Sequence, residues 1–149
     1  MDTLYALIIA GGRGRRFWPV SRESTPKQCV EIGGEQAYLR QTIERLLPLI
    51  PAERILVVTG SAMEQSVRQL TSGIPDENIL VEPWGRNTAP CIGWGAVEIG
   101  KRTAGAVMAV FPCDHHIENE EEFRAVILSA AVATTATNAI ITIGIRPTR

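Results

Sequence analysis

Short apolar runs alternate along the chain with segments in which apolar residues recur every three or four positions. The runs are typical of buried strands, whereas the wider spacing is typical of amphipathic helices. The runs predict five strands, at residues 4–10, 55–59, 79–81, 106–111 and 139–145. The periodic segments predict four helices, around residues 39–47, 63–70, 88–100 and 120–131.

Local signals agree with these boundaries. Pro48 ends the first helix, and Gly73 closes the second. Asn119 is expected to cap the fourth helix, because its side chain can accept a hydrogen bond from an exposed backbone N–H. The three glutamates at 120–122 suit the positive end of that helix dipole.

Strict alternation of strands and helices predicts an α/β fold with a mainly parallel sheet that is covered by helices on both faces. Ligands of such sheets bind at the carboxyl ends of the strands. Three loops therefore carry the candidate chemistry, namely those that follow Ala10, Val81 and Phe111.

The loop after the first strand combines glycines with positive charge. Gly11, Gly12 and Gly14 let the backbone approach a ligand closely, so that its N–H groups form a concave site for phosphate oxygens. Five cations follow in the same segment, at Arg13, Arg15, Arg16, Arg22 and Lys27. This combination favours a triphosphate ligand, although a tight turn with a solvated basic rim has the same composition.

Two other phosphate-binding motifs do not fit this loop. A Walker A loop ends in Gly-Lys followed by Ser or Thr, and no such sequence is present. The dinucleotide motif G-x-G-x-x-G requires a third glycine where Phe17 stands.

The loop after the third strand offers a carboxylate and two small polar side chains. Glu82 can accept hydrogen bonds from both N1–H and the exocyclic amino group of guanine, a donor pair that adenine lacks. Asn87 and Thr88 suit other polar edges of a base or a ribose. Capping of the next helix explains Asn87 and Thr88 equally well, and Glu82 then becomes a solvated strand end.

The loop after the fourth strand contains Asp114. Mg²⁺ prefers one or two carboxylates together with phosphate oxygens, so this side chain suffices as the protein's first ligand to a nucleotide-bound ion. The alternative is an Asx turn or a cap. A zinc site at His115 and His116 is disfavoured, because adjacent histidines do not readily bind one ion and no Cys/His cluster has the right spacing.

Composition limits the class of protein. The chain has 149 residues, 45% of them hydrophobic, and a net charge of −1, which fits one domain without a nucleic-acid footprint. Cys29, Cys91 and Cys113 form no C-x-x-C pair, so a reducing cytoplasm is expected, with Cys29 and Cys91 as buried small hydrophobes. Neither a signal peptide nor a membrane span is predicted, since polar residues interrupt the apolar stretch at 130–145.

Three motifs resemble one known family. The pattern G-G-x-G-x-R followed by P-K is similar to that of sugar-phosphate nucleotidyltransferases, and here it consists of Gly11, Gly12, Gly14, Arg16, Pro26 and Lys27. The elements R-F-W-P at 16–19 and E-P-x-x-R-N-T-A-P at 82–90 resemble the mannose-1-phosphate guanylyltransferase branch. Asp114 stands in the family's P-x-D-H-x-I context.

The resemblance implies a fold and a reaction. The fold is a Rossmann-like three-layer α/β/α domain of the nucleotide-diphospho-sugar transferase type, of which residues 1–149 form a truncated, N-terminal, nucleotide-binding part. The reaction transfers GMP from GTP to mannose 1-phosphate with the help of Mg²⁺ and gives GDP-mannose and pyrophosphate.

The resemblance also assigns roles to individual residues. Arg16 holds the nucleotide phosphates, Lys27 stabilises charge around the reacting α-phosphate, and Asp114 binds the metal. These three are the implied catalytic residues. The implied nucleotide-binding residues are Gly11, Gly12, Arg13, Gly14, Glu82, Asn87 and Thr88.

Family members continue past this length and there supply the sugar-phosphate pocket and a second metal-binding aspartate. A sheet that ends at the fifth strand leaves an exposed edge, which favours a homo-oligomer. Three alternatives stay open. The first is a related enzyme with another nucleotide or sugar, or a molybdenum-cofactor guanylyltransferase. The second is a non-catalytic GTP-binding module, and the third is a redox dinucleotide-binding domain.

Overall fold

A computed structural model of the chain describes residues 3–11 and 37–144. In these ranges, strands and helices alternate as the apolar pattern predicts. The strands are β1 (Leu4–Ile9), β2 (Ile55–Gly60), β3 (Ile79–Glu82) and β4 (Val107–Pro112). The helices are α1 (Tyr38–Leu46), α2 (Glu64–Leu70), α3 (Thr88–Arg102) and α4 (Glu120–Thr137).

The four strands form one parallel sheet in the order β3-β2-β1-β4. From β1 the chain moves to β2 and β3 on one side, and then returns to place β4 on the other side of β1. Because parallel crossovers are right-handed, this reversal puts α1 and α2 on one face of the sheet and α3 on the other. The predicted α/β class is therefore confirmed, and the order reverses between β1 and β4.

The face covered by α3 holds one hydrophobic cluster. Alternate strand residues meet the inner side of the helix there, namely Tyr5, Leu7, Leu56, Val58 and Leu80 with Cys91 and Ile99. The helix lies very close to β1 at Gly95, where an added Cβ would be 2.5 Å from Cδ2 of Leu7. Glycine at this position is thus what permits the close packing of α3 on the sheet.

The opposite face is also buried. Ala6, Ile8 and Val57 alternate with the residues under α3 and are fully inaccessible to solvent. Leu39 and Ile43 of α1 are equally buried, as the spacing of apolar residues in that segment requires. Burial on both faces explains why the strand sequences are continuous apolar runs rather than alternating ones.

A polar clamp fixes the approach to β3. Asn78 is almost fully buried and donates to the carbonyl oxygens of Ala52, Glu53 and Ile55 at 3.3, 3.0 and 2.9 Å. Its side-chain oxygen accepts from Arg102, near the end of α3. The clamp therefore ties β2, β3 and α3 together at the end of the sheet opposite to the strands' carboxyl ends.

The chain divides after His116 into two compact units. The second unit contains α4, whose N-cap is Asn119 as predicted, with its side-chain oxygen accepting from the N–H of Glu122 at 3.1 Å. The helix ends at Asn138, a left-handed residue with φ of 51°. None of the helices in the described residues is long and apolar enough to cross a membrane.

The prediction of a strand at 139–145 is wrong. Residues 139–144 have no regular secondary structure, and Ile140 and Ile143 are 95% and 51% exposed. A β-strand exists only where a neighbouring strand satisfies its backbone, and within the described ranges no strand pairs with this segment. An apolar, β-branched composition thus indicates a preference for the strand conformation, but it does not by itself produce a strand.

Candidate functional site

The carboxyl ends of the parallel strands meet at one edge of the sheet, and three predicted site residues lie there. Gly11 follows β1, Glu82 ends β3, and Asp114 follows β4. Ile9 pairs with Pro112, so the loops after β1 and β4 start side by side. Glu82 pairs with Gly60 of β2, one strand further out.

This order sets the separation between the two acidic residues. Three strand-to-strand steps lie between β3 and β4, and each step is close to 4.8 Å, so the backbone positions of Glu82 and Asp114 are roughly 14 Å apart. Gly11 lies between them, next to Asp114. An elongated ligand can therefore reach both acidic residues at this edge, whereas a single ion cannot.

Hydrogen bonds hold the backbone at the ends of β1 and β4. The Thr59 hydroxyl donates to the carbonyl of Ala10 at 3.1 Å, and the Ala10 N–H donates to Val58 at 2.8 Å. On the other side, the Thr42 hydroxyl of α1 lies between the carbonyl of Tyr38 at 2.9 Å and the carbonyl of Cys113 at 3.4 Å, and its one proton is shared between these acceptors. Thr59 and Thr42 are buried supporting residues that the sequence analysis did not single out.

The glycine-rich loop begins at the point where the sheet reverses its order. Among residues 3–11 and 37–144, no atom lies within 4 Å of the position that a Cβ of Gly11 would take. Such a location matches the usual ligand position of doubly wound sheets. The other predicted residues of this loop lie outside the described residues: Gly12, Arg13, Gly14, Arg16 and Lys27.

Glu82 lies on the α3 side of the sheet. It follows Leu80 by two positions, and Leu80 packs against Cys91 in the cluster beneath α3. Burial of Cys91, which is 2% exposed, and the negative charge of Glu82 together raise the pKa of the Cys91 thiol to about 11. The thiol therefore stays protonated at neutral pH, next to a carboxylate that is half-buried.

Asn87 has an unusual backbone conformation. Its φ of 67° and ψ of −168° fall in a region that is nearly reserved for glycine and costs other residues about 1–3 kcal/mol. It occupies the N-cap of α3, yet its side chain makes no capping hydrogen bond. Asn119, the N-cap of α4, does make one. Capping through its side chain thus does not explain why Asn87 stands at this position.

Thr88 opens α3 and is exposed beside Asn87. The connection from Pro83 to Asn87 is exposed throughout, and so are the first three residues of the helix. Together with the half-buried Glu82, these residues leave polar groups accessible at the end of β3. The structure therefore brings the predicted residues Glu82, Asn87 and Thr88 into one short segment of the edge.

Asp114 lies at the other end of the edge. It is half-buried and directly follows Cys113, which is 1% exposed, whereas His115 and His116 are exposed. Among residues 3–11 and 37–144, no three His, Cys, Asp or Glu side chains are placed together to hold a metal ion. A single carboxylate can serve as a protein ligand of a nucleotide-bound Mg²⁺, because that ion takes its remaining ligands from phosphates and water.

Comparison with known proteins points to one class. The family model for nucleotidyl transferases matches residues 5–149. The chain is 37% identical over 149 residues to a xanthan biosynthesis protein, XanB, of Xanthomonas campestris pv. campestris. It is 36% identical over 152 residues to a mannose-1-phosphate guanylyltransferase of Salmonella muenchen. These matches cover 99% and 100% of this chain but only 32% of each relative.

A solved structure agrees with the sequence relatives. This solved structure is that of a mannose-1-phosphate geranyltransferase from Thermus thermophilus. It is 38% identical in sequence to this chain and superposes on it with a TM-score of 0.80. The match covers 89% of this chain and 38% of that chain. The chain thus spans about a third of the length of the curated relatives it matches.

Proposed function

Because the chain belongs to the nucleotidyl transferase family, we propose that it carries the GTP- and magnesium-binding half of a mannose-1-phosphate guanylyltransferase. The observation that carries the proposal is the position of Glu82 and Asp114 at one sheet edge, on either side of the loop that starts at Gly11. An elongated nucleotide fits this order, with its base at β3 and its phosphates at β1 and β4. The names of the Salmonella and Thermus proteins support mannose 1-phosphate as the acceptor.

Glu82 is proposed to select the base. Its carboxylate accepts two hydrogen bonds from the N1–H and amino group of guanine, and adenine has no matching pair of donors. Its half-buried position strengthens such hydrogen bonds, because water competes less for the carboxylate. Asn87 and Thr88 are proposed to contact the ribose or the remaining edge of the base, since both residues are exposed in the same segment as Glu82.

The phosphates are proposed to lie on the loop that begins at Gly11. The backbone N–H groups of Gly11, Gly12 and Gly14 would hold their oxygens, and Arg13 and Arg16 would balance their charge. Asp114 would hold Mg²⁺ next to them, and the ion would neutralise phosphate charge when bound. Lys27 would stabilise the charge that develops at the α-phosphate.

The proposed reaction is an in-line displacement at phosphorus. A phosphate oxygen of mannose 1-phosphate forms a bond to the α-phosphorus of GTP, and the bond from that phosphorus to the bridging oxygen breaks. Pyrophosphate leaves with the electron pair of the broken bond. The nucleophile is already ionised at neutral pH, so the residues of this chain act by positioning and charge stabilisation rather than as a general base.

Binding of GTP without turnover is the second candidate. The residues proposed here account for the base, the phosphates and the metal, and none of them is assigned to the sugar. The chain also spans only 32% of the length of the guanylyltransferase that it resembles. A nucleotide-binding module of the same fold would use Glu82 and Asp114 in the same way.

Pyrophosphate release tests the proposal. The 149-residue chain is mixed with GTP, mannose 1-phosphate and Mg²⁺, and matched mixtures contain ATP or glucose 1-phosphate instead. Release that needs both GTP and mannose 1-phosphate supports the full activity. GTP binding in calorimetry without release supports the second candidate, and no binding of GTP in the presence of Mg²⁺ refutes both.

A further inference from the structure

Trp84 is an exposed aromatic residue at the edge of the sheet. Its side chain is 74% accessible to solvent, more than any other large hydrophobic residue described before residue 117. Trp94, ten positions further in α3, is instead partly buried against the hydrophobic cluster. Tryptophan offers about 150–250 Å² of mainly apolar surface, so leaving it in water forgoes a large gain from burial.

The neighbours of Trp84 connect it to the candidate nucleotide site. It follows Glu82 by two residues and precedes the strained Asn87 by three, within the connection between β3 and α3. Pro83 and Gly85 flank it, and neither can bury the indole with a long side chain. The indole is therefore only two residues along the chain from the carboxylate proposed to bind the edge of guanine.

We propose that Trp84 is a positioning residue that stacks on the purine ring of the bound nucleotide. This inference rests on the proposed function, because it uses the base site at Glu82. A carboxylate that holds a base by its edge covers neither face of the ring. An adjacent indole covers one face and orients the base, and stacking of this kind is strong but tolerant of base identity.

Stacking on the ring and recognition of its edge affect two different properties of the site, affinity and base selectivity. Glu82 determines which purine binds, whereas Trp84 determines how tightly any purine binds. The two roles can be distinguished with ITP, whose base keeps the purine face and the N1–H but lacks the amino group. They can also be distinguished with inorganic triphosphate, which has no base and reports on the phosphate site alone.

The experiment measures the affinity of the 149-residue chain for these three ligands by calorimetry, with Mg²⁺ present. Trp84→Ala is expected to weaken GTP and ITP by the same factor, roughly tenfold, and to leave inorganic triphosphate unchanged. Trp84→Phe keeps an aromatic face and is expected to restore most of the affinity. Val97→Ala removes another exposed apolar side chain, 56% accessible in α3, and serves as the matched control with no effect.

Fluorescence gives a readout that a merely structural role would not move. GTP is expected to quench the indole emission of the wild-type chain, and the quenching should be clearly smaller in Trp84→Phe, in which only Trp18 and Trp94 still emit, although that variant still binds. Unchanged affinity in Trp84→Ala, equal weakening of inorganic triphosphate, or undiminished quenching in Trp84→Phe overturns the inference. A wild-type chain that binds no GTP refutes the proposed function itself, which keeps the two failures distinct.

Discussion

The carboxylate of Glu82, at the end of β3, lies close enough to the buried thiol of Cys91, in α3, to raise the pKa of that thiol. Burial is the larger cause and the charge of Glu82 the smaller one, and together they move the pKa from 9.0 to about 11. The pair places the proposed base-recognition carboxylate near the hydrophobic cluster under α3, to which Cys91 belongs.

This shift predicts a dependence of stability on pH. The thiol ionises near pH 9 when the chain is unfolded but only near 11 when it is folded, so the folded state retains its proton longer. The associated stability is complete below pH 9 and is lost as pH rises towards 11, with a total loss of about 2–3 kcal/mol. Urea unfolding between pH 8 and pH 11 measures this loss.

Cys91→Ala provides the control for this prediction. The variant lacks the titrating thiol, so the decline in stability between pH 9 and pH 11 should be smaller than in the wild-type chain by about the same amount. The other cysteines and the lysines remain in both proteins, and their contributions cancel in the comparison. Identical slopes for the two proteins would contradict the assignment of the shift to Cys91.

The sequence pattern predicted most of the regular structure because each element carries its own signal. Continuous apolar runs correspond to strands that are buried on both faces, as β1 and β2 are. The cap of α4 was recognisable from four adjacent residues, Asn119 and the three glutamates that follow it. Signals of this local kind do not depend on the rest of the fold.

Other features depend on residues distant in the sequence and were not predictable. Strand formation at 139–145 requires a pairing partner, which the composition of Ile140 and its neighbours does not reveal. The nearness of Cys91 to Glu82 follows from the packing of α3 on β3. The positive φ of Asn87 is likewise imposed by the geometry of that connection, because the preference of asparagine alone favours ordinary capping.

Exchange of Glu82 for glutamine should change base preference. The amide keeps the size of the side chain but replaces one acceptor oxygen by a donor, which opposes a donor of guanine. GTP binding is expected to weaken by about 1.5–3 kcal/mol, with little change for ATP. Competition between the two nucleotides measures this preference, and equal loss for both would place guanine recognition elsewhere. Glu98→Gln, in the later part of α3, is a control with no expected effect.

Exchange of Asp114 for asparagine should reduce the magnesium dependence of nucleotide binding. The amide has nearly the same shape but lacks the charge that Mg²⁺ requires. In calorimetry with and without Mg²⁺, the wild-type chain is expected to bind GTP more tightly with the ion, and the variant should lose at least roughly a factor of ten of that gain. Asp76→Asn, at an exposed salt bridge with Arg68, is the matched control. A variant with full magnesium dependence would refute the metal assignment.

Gly95 tests the packing that places α3 on the sheet. Alanine normally stabilises a helix relative to glycine by about 1 kcal/mol, but here its Cβ would lie 2.5 Å from the buried Leu7 side chain. Because Leu7 is fully buried, a shift of its side chain disturbs the packing around it, and Gly95→Ala is expected to destabilise the fold by about 1–3 kcal/mol. Gly93→Ala, in the same helix and with no atom of the described residues within 4 Å of its Cβ position, should be neutral or stabilising. Equal effects of the two substitutions in urea unfolding would contradict the close contact.

Replacement of Asn87 by glycine should separate stability from binding. Glycine adopts φ of 67° and ψ of −168° without strain, which relieves about 1–3 kcal/mol, while its greater freedom in the unfolded chain costs about 0.5–1 kcal/mol. The fold is therefore expected to gain about 1 kcal/mol in urea unfolding. GTP affinity should fall at the same time, since the side chain proposed to contact the nucleotide is lost.

Asn138→Gly is the matched control for that variant. Asn138 also has a positive φ, 51°, but with ψ of 37° it lies in the left-handed region that asparagine tolerates. It is in the unit that begins after His116, and no residue of that unit is assigned to the proposed site. Neither stability nor GTP affinity should change much there. If Asn87→Gly instead binds GTP as tightly as the wild-type chain, the strained residue serves the loop geometry alone and has no role in nucleotide recognition.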